Sequence, residues 1–183
     1  MTRWRDALIV LLLILNGALV YRILSSSRRS HPVPEPLEYI ARVDLPDVEL
    51  VDRDGQPQTV RELAAQEPLT LLIVFSPSDC PPCLEEKNLC GEVARLDIVA
   101  VYGIGISPSP EEFWEWESRM DIPVDVYLDT TFAFMDSMGF RVTPLKLLIS
   151  AAGTVLWVDP PRLSPAEVAA FWEDLSRVVD AAS

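Results

Sequence analysis

The sequence predicts an α/β sandwich, in which helices flank a central mixed β-sheet. Residues 69–75 are apolar at nearly every position, which is typical of a strand buried on both faces of a sheet. Downstream, strand and helix patterns alternate, and the chain closes with a hairpin and a helix. With 183 residues and 49% apolar composition, the chain can bury one sizeable core and carry an appendage.

The folded domain is predicted to begin near Leu37. An Asp54-Gly55 turn joins two short strands, which gives the domain an N-terminal β-hairpin extension, and one helical turn follows. Proline at a helix start and glycine after a helix end support the later boundaries. The predicted elements are strands 48–51 and 58–60, a helical turn at 63–65, strand 69–75, helix 82–96, strand 98–106, helix 111–120, strand 124–128, helix 132–138, strands 145–150 and 155–158, and helix 164–179.

The N-terminal segment is predicted to be a membrane anchor. Ala7 to Leu24 are 18 almost wholly apolar positions, which is the lower end of what spans a bilayer as a helix. The alternative is a cleaved signal peptide with Arg3 and Arg5 as its basic region. Because residues 25–27 are no clear cleavage site, we favour an uncleaved single transmembrane helix within residues 1–24, followed by a flexible tether at 25–36 and the domain at 37–183.

The location of the domain is predicted from the short segment before the anchor. Arginines flank the apolar stretch on both sides, so the charge count alone does not set the orientation. A short N-terminal tail with arginines favours a cytoplasmic N-terminus, and therefore a domain on the periplasmic or extracellular side of the cytoplasmic membrane.

Charge excludes nucleic acid as a partner. After residue 30 the chain carries 10 basic against 27 acidic residues. A domain with this excess of negative charge repels nucleic acid and anionic lipid headgroups.

The strongest chemical motif is Cys80-Pro81-Pro82-Cys83, which lies between the buried strand and a helix. A cysteine at a helix N-terminus is placed where unpaired N–H groups and the helix dipole favour a thiolate, the nucleophile of thiol–disulfide exchange. The alternatives for Cys80 and Cys83 are that they form half of a zinc site or a purely structural disulfide. The chain offers only Cys90 and His31 as further cysteine or histidine ligands for zinc, and a bridge across two residues stabilises a domain little.

These residues resemble a known family. The order of strand, Cys-Pro-Pro-Cys, helix, further βα units, Val142-Thr143-Pro144, hairpin and terminal helix is similar to the thioredoxin fold. The opening residues 45–50 and Asp54-Gly55 resemble the redoxin branch, and among its members the membrane-anchored thiol–disulfide reductases of cytochrome c maturation. The resemblance covers about Asp44 to Val179.

The resemblance implies a role for each motif. Cys80 would attack the substrate and Cys83 would resolve the mixed disulfide, with no metal and no cofactor beyond the redox-active Cys80–Cys83 disulfide. The substrate would contact Pro81, Pro82 and the segment of Thr143 and Pro144, in which Pro144 would be a cis-proline; an ordinary trans proline is the alternative. The implied partners are a disulfide-containing client protein, a membrane electron donor and the lipid bilayer around residues 7–24.

Two further residues lie on the helix that follows the motif. Glu86 comes three residues after Cys83, matches an acidic position of the anchored reductases, and could exchange a proton with the cysteine pair; the alternative is a solvated acid. Cys90 comes about two turns after Cys83, so it is expected on the inward face as a small apolar side chain. A regulatory or second resolving thiol is the alternative for Cys90.

Departures from the family predict a reducing couple. Asp79 stands where related reductases commonly carry tryptophan, and Pro81 and Pro82 lack N–H donors. Both features raise the pKa of the Cys80 thiol, which favours the disulfide form. Val74 stands where cytosolic thioredoxins carry a buried aspartate, so proton transfer to or from the cysteines would depend more on Glu86.

The sequence leaves two alternative functions. A thiol peroxidase of the redoxin superfamily would need threonine or serine at Pro77 and proline at Ile73. A copper-handling assembly factor would bind metal through the cysteines, but the predicted domain has no histidine to complete such a site. The sequence therefore favours a protein disulfide oxidoreductase.

Overall fold

The computed structural model describes residues 43–77, 81–161 and 164–182, with the side chains of 81–85 and 165 excepted. The predicted anchor and tether, and the first residues of the predicted domain, lie outside these ranges. Within the described ranges, no helix has the length and apolar character needed to cross a membrane.

Seven strands and five helices form the described part of the chain. They are β1 (Glu49–Val51), β2 (Pro57–Thr59), α1 (Val60–Ala64), β3 (Leu69–Phe75), α2 (Pro81–Leu96), β4 (Ala100–Ile106), α3 (Pro110–Met120), β5 (Asp125–Asp129), α4 (Ala133–Met138), β6 (Leu145–Ser150), β7 (Val155–Asp159) and α5 (Pro165–Ala182).

The strands form one mixed sheet in the order β2-β1-β5-β4-β3-β6-β7. β3, β4 and β5 are parallel, while β6 and β7 extend the sheet in antiparallel fashion on one side and β1 and β2 on the other. Because β6 runs opposite to β3, with Leu145 paired to Val74, β6 begins where β3 ends. We call this end of the sheet, where β3 ends and β6 begins, the site edge.

The alternation of side chains along the central strand creates a core on each face of the sheet. Leu72 and Val74 of β3 pack in the core that α1 and α4 cover. Leu71, Ile73 and Phe75 pack in the other core, under α2, α3 and α5. All seven residues of β3 are buried, as the unbroken apolar pattern predicts.

A glycine in β4 allows the helix layer to approach the sheet closely. A Cβ atom at Gly105 would lie 2.0 Å from Cζ of Phe113, which is fully buried on α3. This ring also packs against Trp116, with 5.6 Å between the ring centroids. The aromatic residues of α3 therefore belong largely to the core.

The predicted mixed α/β sandwich is confirmed. Several strands and helices begin or end a few residues away from their predicted limits. Val60 was predicted in a strand but begins α1, because Thr59 caps this helix: Thr59 Oγ1 accepts from the Glu62 amide, and the Glu62 carboxylate accepts from the Thr59 amide. β4 begins at Ala100 and not at Ile98, since Asp97 takes a left-handed conformation with φ of 52° after α2. The strands β1 and β2 are antiparallel around the Asp54-Gly55 turn.

Candidate active site

The described part of the cysteine motif begins α2, the helix that follows β3 in the chain. Pro81 and Pro82 are the first two residues of α2, where the missing N–H of proline breaks no helical hydrogen bond. The backbone of Cys83 lies in the first turn of the same helix. Cys80 and the side chain of Cys83 lie outside the described residues, so the approach of the two sulfur atoms stays a prediction.

The segment before β6 lies at the same edge. The Thr143–Pro144 peptide bond is cis, as the resemblance implies. Pro144 is buried and directly precedes Leu145, which pairs with Val74 near the end of β3. A hydrogen bond between the hydroxyl groups of Thr143 and Ser76 joins the two segments, with 2.7 Å between the oxygen atoms. The predicted substrate-contacting segment therefore lies beside the strand that leads into the cysteine motif.

Glu86 is a buried residue, and its interpretation as a solvated helix acid is wrong. Its side chain is 1% exposed, although a carboxylate is almost never fully buried without a partner. The partner is Lys146 of β6, whose Nζ donates to both carboxylate oxygens at 2.7 Å. Glu86 thus lies one helical turn beyond Cys83, in a charge-assisted contact with the sheet.

Lys146 also contacts a second acidic side chain, that of Asp159. Its Nζ lies 2.9 Å from Oδ2 of Asp159 on β7, and it donates to the carbonyl oxygen of Pro160 at 3.1 Å. The ammonium also lies 5.4 Å from the ring centroid of Phe171 on α5, in a cation–π contact. We call the three charged residues Glu86, Lys146 and Asp159 the acid–lysine cluster. All three are buried.

The position of Lys146 follows from the alternation of β6. Leu145 and Leu147 face the core under α1 and α4, so Lys146 and Leu148 point to the opposite face, where α2 and α5 pack. Glu86 reaches the lysine from α2. Lys146 and Asp159 were not among the predicted site residues, although a single lysine inside an apolar strand indicates a buried charge that needs a partner.

Cys90 lies on the inward face of α2 and is fully buried, as predicted. Loss of hydration raises the pKa of its thiol far above the usual range. The negative charge of Glu86 adds to this rise, and the positive charge of Lys146 opposes it. Cys90 therefore carries no reactive thiolate in the folded domain at ordinary pH, which disfavours a role as a second resolving thiol.

Comparison with solved structures relates this fold to known proteins. The chain is similar to a protein assigned as the thiol:disulfide interchange protein DsbE of Chlorobium tepidum, with 15% identity and a TM-score of 0.65 over 76% of this chain and 97% of that chain. It is similar to the thioredoxin domain of a thiol-disulfide oxidoreductase from Bacteroides vulgatus, with 12% identity and a TM-score of 0.60 over 74% and 96%. It also resembles a secreted Mycobacterium tuberculosis disulfide oxidoreductase homologous to E. coli DsbE, with 19% identity and a TM-score of 0.55 over 74% and 96%.

No protein-family model and no curated protein matches the sequence. The likeness to the solved structures establishes the fold, which is thioredoxin-like with a mixed sheet and helices on both faces. The fold leaves the chemistry to be argued from the residues at the site edge.

Proposed function

We propose that this chain is a thiol–disulfide oxidoreductase that reduces disulfides in partner proteins through Cys80 and Cys83. The observation that carries the proposal is the meeting of three features at the site edge. The first turn of α2 contains Cys83, the Thr143–Pro144 segment lies beside the end of β3, and the buried carboxylate of Glu86 follows Cys83 by one helical turn. In the proposed reaction these features would supply the resolving thiol, a backbone for substrate to bind and a proton acceptor.

The reaction transfers two electrons to the client. The thiolate of Cys80 attacks one sulfur of the client disulfide, and the other client sulfur leaves as a thiolate that takes up a proton. Cys83 then loses its proton to Glu86 or to water and attacks Sγ of Cys80. The bond between Cys80 and the client breaks, and the second client sulfur leaves. The client gains two thiols, and the protein retains a Cys80–Cys83 disulfide.

The direction of electron flow is inferred from the residues around Cys80. The negative charge of Asp79 disfavours a neighbouring thiolate, and Pro81 and Pro82 supply no N–H donors to stabilise one. A raised thiol pKa makes the disulfide form relatively more stable and the couple more reducing. The protein is therefore proposed to act as a reductase.

The proposed setting is extracytoplasmic. The apolar segment Ala7 to Leu24 would tether the domain to the cytoplasmic membrane, with the domain on its periplasmic or extracellular face. There the clients would be disulfide-containing proteins, such as those of cytochrome c maturation, and a membrane electron donor would reduce the Cys80–Cys83 disulfide again.

The test is to trap clients with the full chain carrying Cys83→Ser. Without the second cysteine the mixed disulfide cannot be resolved, so we expect client proteins attached to Cys80 that dithiothreitol releases. The matched control is Cys90→Ser, which also removes one thiol of α2 and is expected to trap nothing. If Cys83→Ser and Cys90→Ser retain the same proteins, or if Cys80→Ser in addition to Cys83→Ser still traps them, the proposal is wrong.

A further inference from the structure

Phe132, the residue that precedes α4, has a backbone conformation that suits glycine. Its φ of 63° and ψ of 10° lie in the left-handed region, which disfavours bulky side chains because they crowd the backbone. In the described part of the chain, the other two non-glycine residues with positive φ are Asp97 and Asp121, and aspartate tolerates this region. The phenylalanine therefore stands against the preference of its own backbone.

Packing in the core does not account for this side chain. Phe132 is 39% exposed. The nearby Phe134 and Phe140 are buried in the core and pack edge to face, with 5.7 Å between the ring centroids. A strained and exposed aromatic residue indicates a role in binding, since such conformations occur preferentially at functional sites.

The loop that carries Phe132 is fixed by a buried carboxylate. Asp129, at the end of β5, is fully buried. Its Oδ1 accepts from the amide and the hydroxyl of Thr131 at 2.9 and 2.8 Å, and its Oδ2 accepts from the amide of Phe134 at 2.8 Å. These bonds hold the residues on both sides of Phe132, so the strained conformation is held by the loop itself. A rigid loop loses little entropy when a partner binds to it.

Phe132 lies at the site edge. Because β3, β4 and β5 are parallel, they end at the same edge, and Phe132 follows the last residue of β5 by three positions. From there α4 leads to Val142, which is exposed and directly precedes the cis Thr143–Pro144 bond. An exposed apolar side chain therefore lies on each side of α4, close in the chain to the segment that a client is proposed to contact.

The spacing of the strands gives the distance that a client must cover. β5 lies two strands away from β3, the strand that precedes the cysteine motif. Neighbouring strands are about 4.8 Å apart, so the ends of β3 and β5 are about 10 Å apart. An extended chain advances about 3.3 Å per residue, so about three residues of a client cover this distance.

We propose that Phe132 determines client specificity by binding an apolar side chain about three residues away from the reacting cysteine of the client. The inference deepens the proposed function and rests on it, since the client that Cys80 attacks is the occupant of this surface. The occupant is a client and not a second copy of the chain, because the exposed ring lies at the same edge as the Thr143–Pro144 segment.

The exposed area sets the size of the effect. The exposed 39% of a phenylalanine corresponds to about 80 Å², if the whole side chain has about 200 Å². Covering this area raises the affinity by at most about thirtyfold. Since a client side chain covers only part of it, we expect a preference of about tenfold for an apolar residue.

The experiment measures the reaction of two peptides with the full, reduced chain. Each peptide has a single cysteine in a mixed disulfide with thionitrobenzoate, and the two differ only in carrying leucine or serine three residues before and after this cysteine. The thiolate of Cys80 attacks the peptide sulfur, and thionitrobenzoate leaves as a coloured thiolate that gives the second-order rate constant. The wild-type chain should react about tenfold faster with the leucine peptide.

Substitutions of Phe132 separate binding from folding. Phe132→Gly removes the ring and suits the left-handed backbone, so the rate ratio of the two peptides should fall to about two while the urea midpoint does not fall. Phe132→Asn also tolerates this conformation and should lower the ratio in the same way. Phe132→Leu keeps an apolar side chain and should retain most of the preference. The matched control is Leu96→Ser, which removes an exposed apolar side chain from the far end of α2 and should leave the ratio at about ten.

The outcomes separate this inference from the proposed function. If Cys80→Ser releases thionitrobenzoate from both peptides as fast as the wild type, the proposed function fails. If Cys80 reacts but the two peptides have equal rates, or if Phe132→Gly and Phe132→Asn keep the wild-type ratio, this inference fails. An unchanged ratio with a lower urea midpoint would assign the ring to packing within the domain. An unchanged ratio with loss of a dimer in sedimentation would assign the ring to contact with a second copy, and either result overturns the inference.

Discussion

Replacing Lys146 by methionine is expected to destabilise the domain strongly. The lysine is 0% exposed, and Met fills much of its volume, so the change removes the charge and leaves a small cavity. It leaves Glu86 and Asp159 buried without their shared cation. Removing one partner of a buried ion pair costs about 3–5 kcal/mol, which is a large part of the roughly 5–15 kcal/mol that holds a domain together.

The free energy of unfolding can be followed by urea titration with tryptophan fluorescence. The control is Arg119→Met, which breaks an exposed pair with Glu115 across one helical turn and should cost about 0.5 kcal/mol or less. Neutralising all three members of the acid–lysine cluster, by Glu86→Gln, Lys146→Met and Asp159→Asn together, should recover part of the lost stability. A loss below about 1 kcal/mol in Lys146→Met would refute the assignment of these contacts as a buried, mutually dependent cluster.

Three smaller changes test other parts of the fold. Because burial raises the pKa of Cys90, its thiol should resist iodoacetamide at pH 8 in the folded protein and react once urea unfolds it; rapid native labelling would contradict the burial. Gly105→Ala forces a methyl group into the Phe113 ring and should lower the free energy of unfolding by about 3 kcal/mol, and an unchanged urea midpoint would be the opposing result. The hydrogen bonds from Thr59 hold the pKa of Glu62 below its ordinary value of 4.5 in the folded protein. This capping box therefore stabilises α1 fully at a pH above the Glu62 pKa of the unfolded chain, and its contribution disappears as the pH falls through the lower Glu62 pKa of the folded protein. In an NMR titration, Thr59→Ala should raise the Glu62 pKa toward 4.5, and no rise would contradict the capping role.

Much of the fold is readable from the sequence because local and long-range preferences agree. The apolar run from Leu69 to Phe75 is a strand with the predicted limits, since only the centre of a sheet buries every side chain of a strand. Helix ends were less predictable where one contact decides them. Val60 has high strand propensity, yet the reciprocal bonds between Thr59 and Glu62 begin a helix there.

The site was only partly predictable, for a physical reason. The spacing from Cys83 predicts that Glu86 lies on the inward side of α2, since positions three apart share a helix face. Its partner Lys146, and Asp159 that shares this lysine, are 60 and 73 residues further along the chain, and only the pairing of β3, β6 and β7 brings them beneath the helix. Lys146 gave a signal as a charge inside an apolar strand, but the sequence did not say which acid would meet it.

Cys80 and Cys83 are proposed to form one redox couple that donates electrons. The most direct test is a titration of the full chain against reduced and oxidised glutathione, with the thiol state read by mass after alkylation. We expect a single two-electron transition that Cys80→Ser and Cys83→Ser each abolish, at a potential nearer to about −270 mV than to about −120 mV. No transition involving these cysteines, or one near about −120 mV, would contradict it.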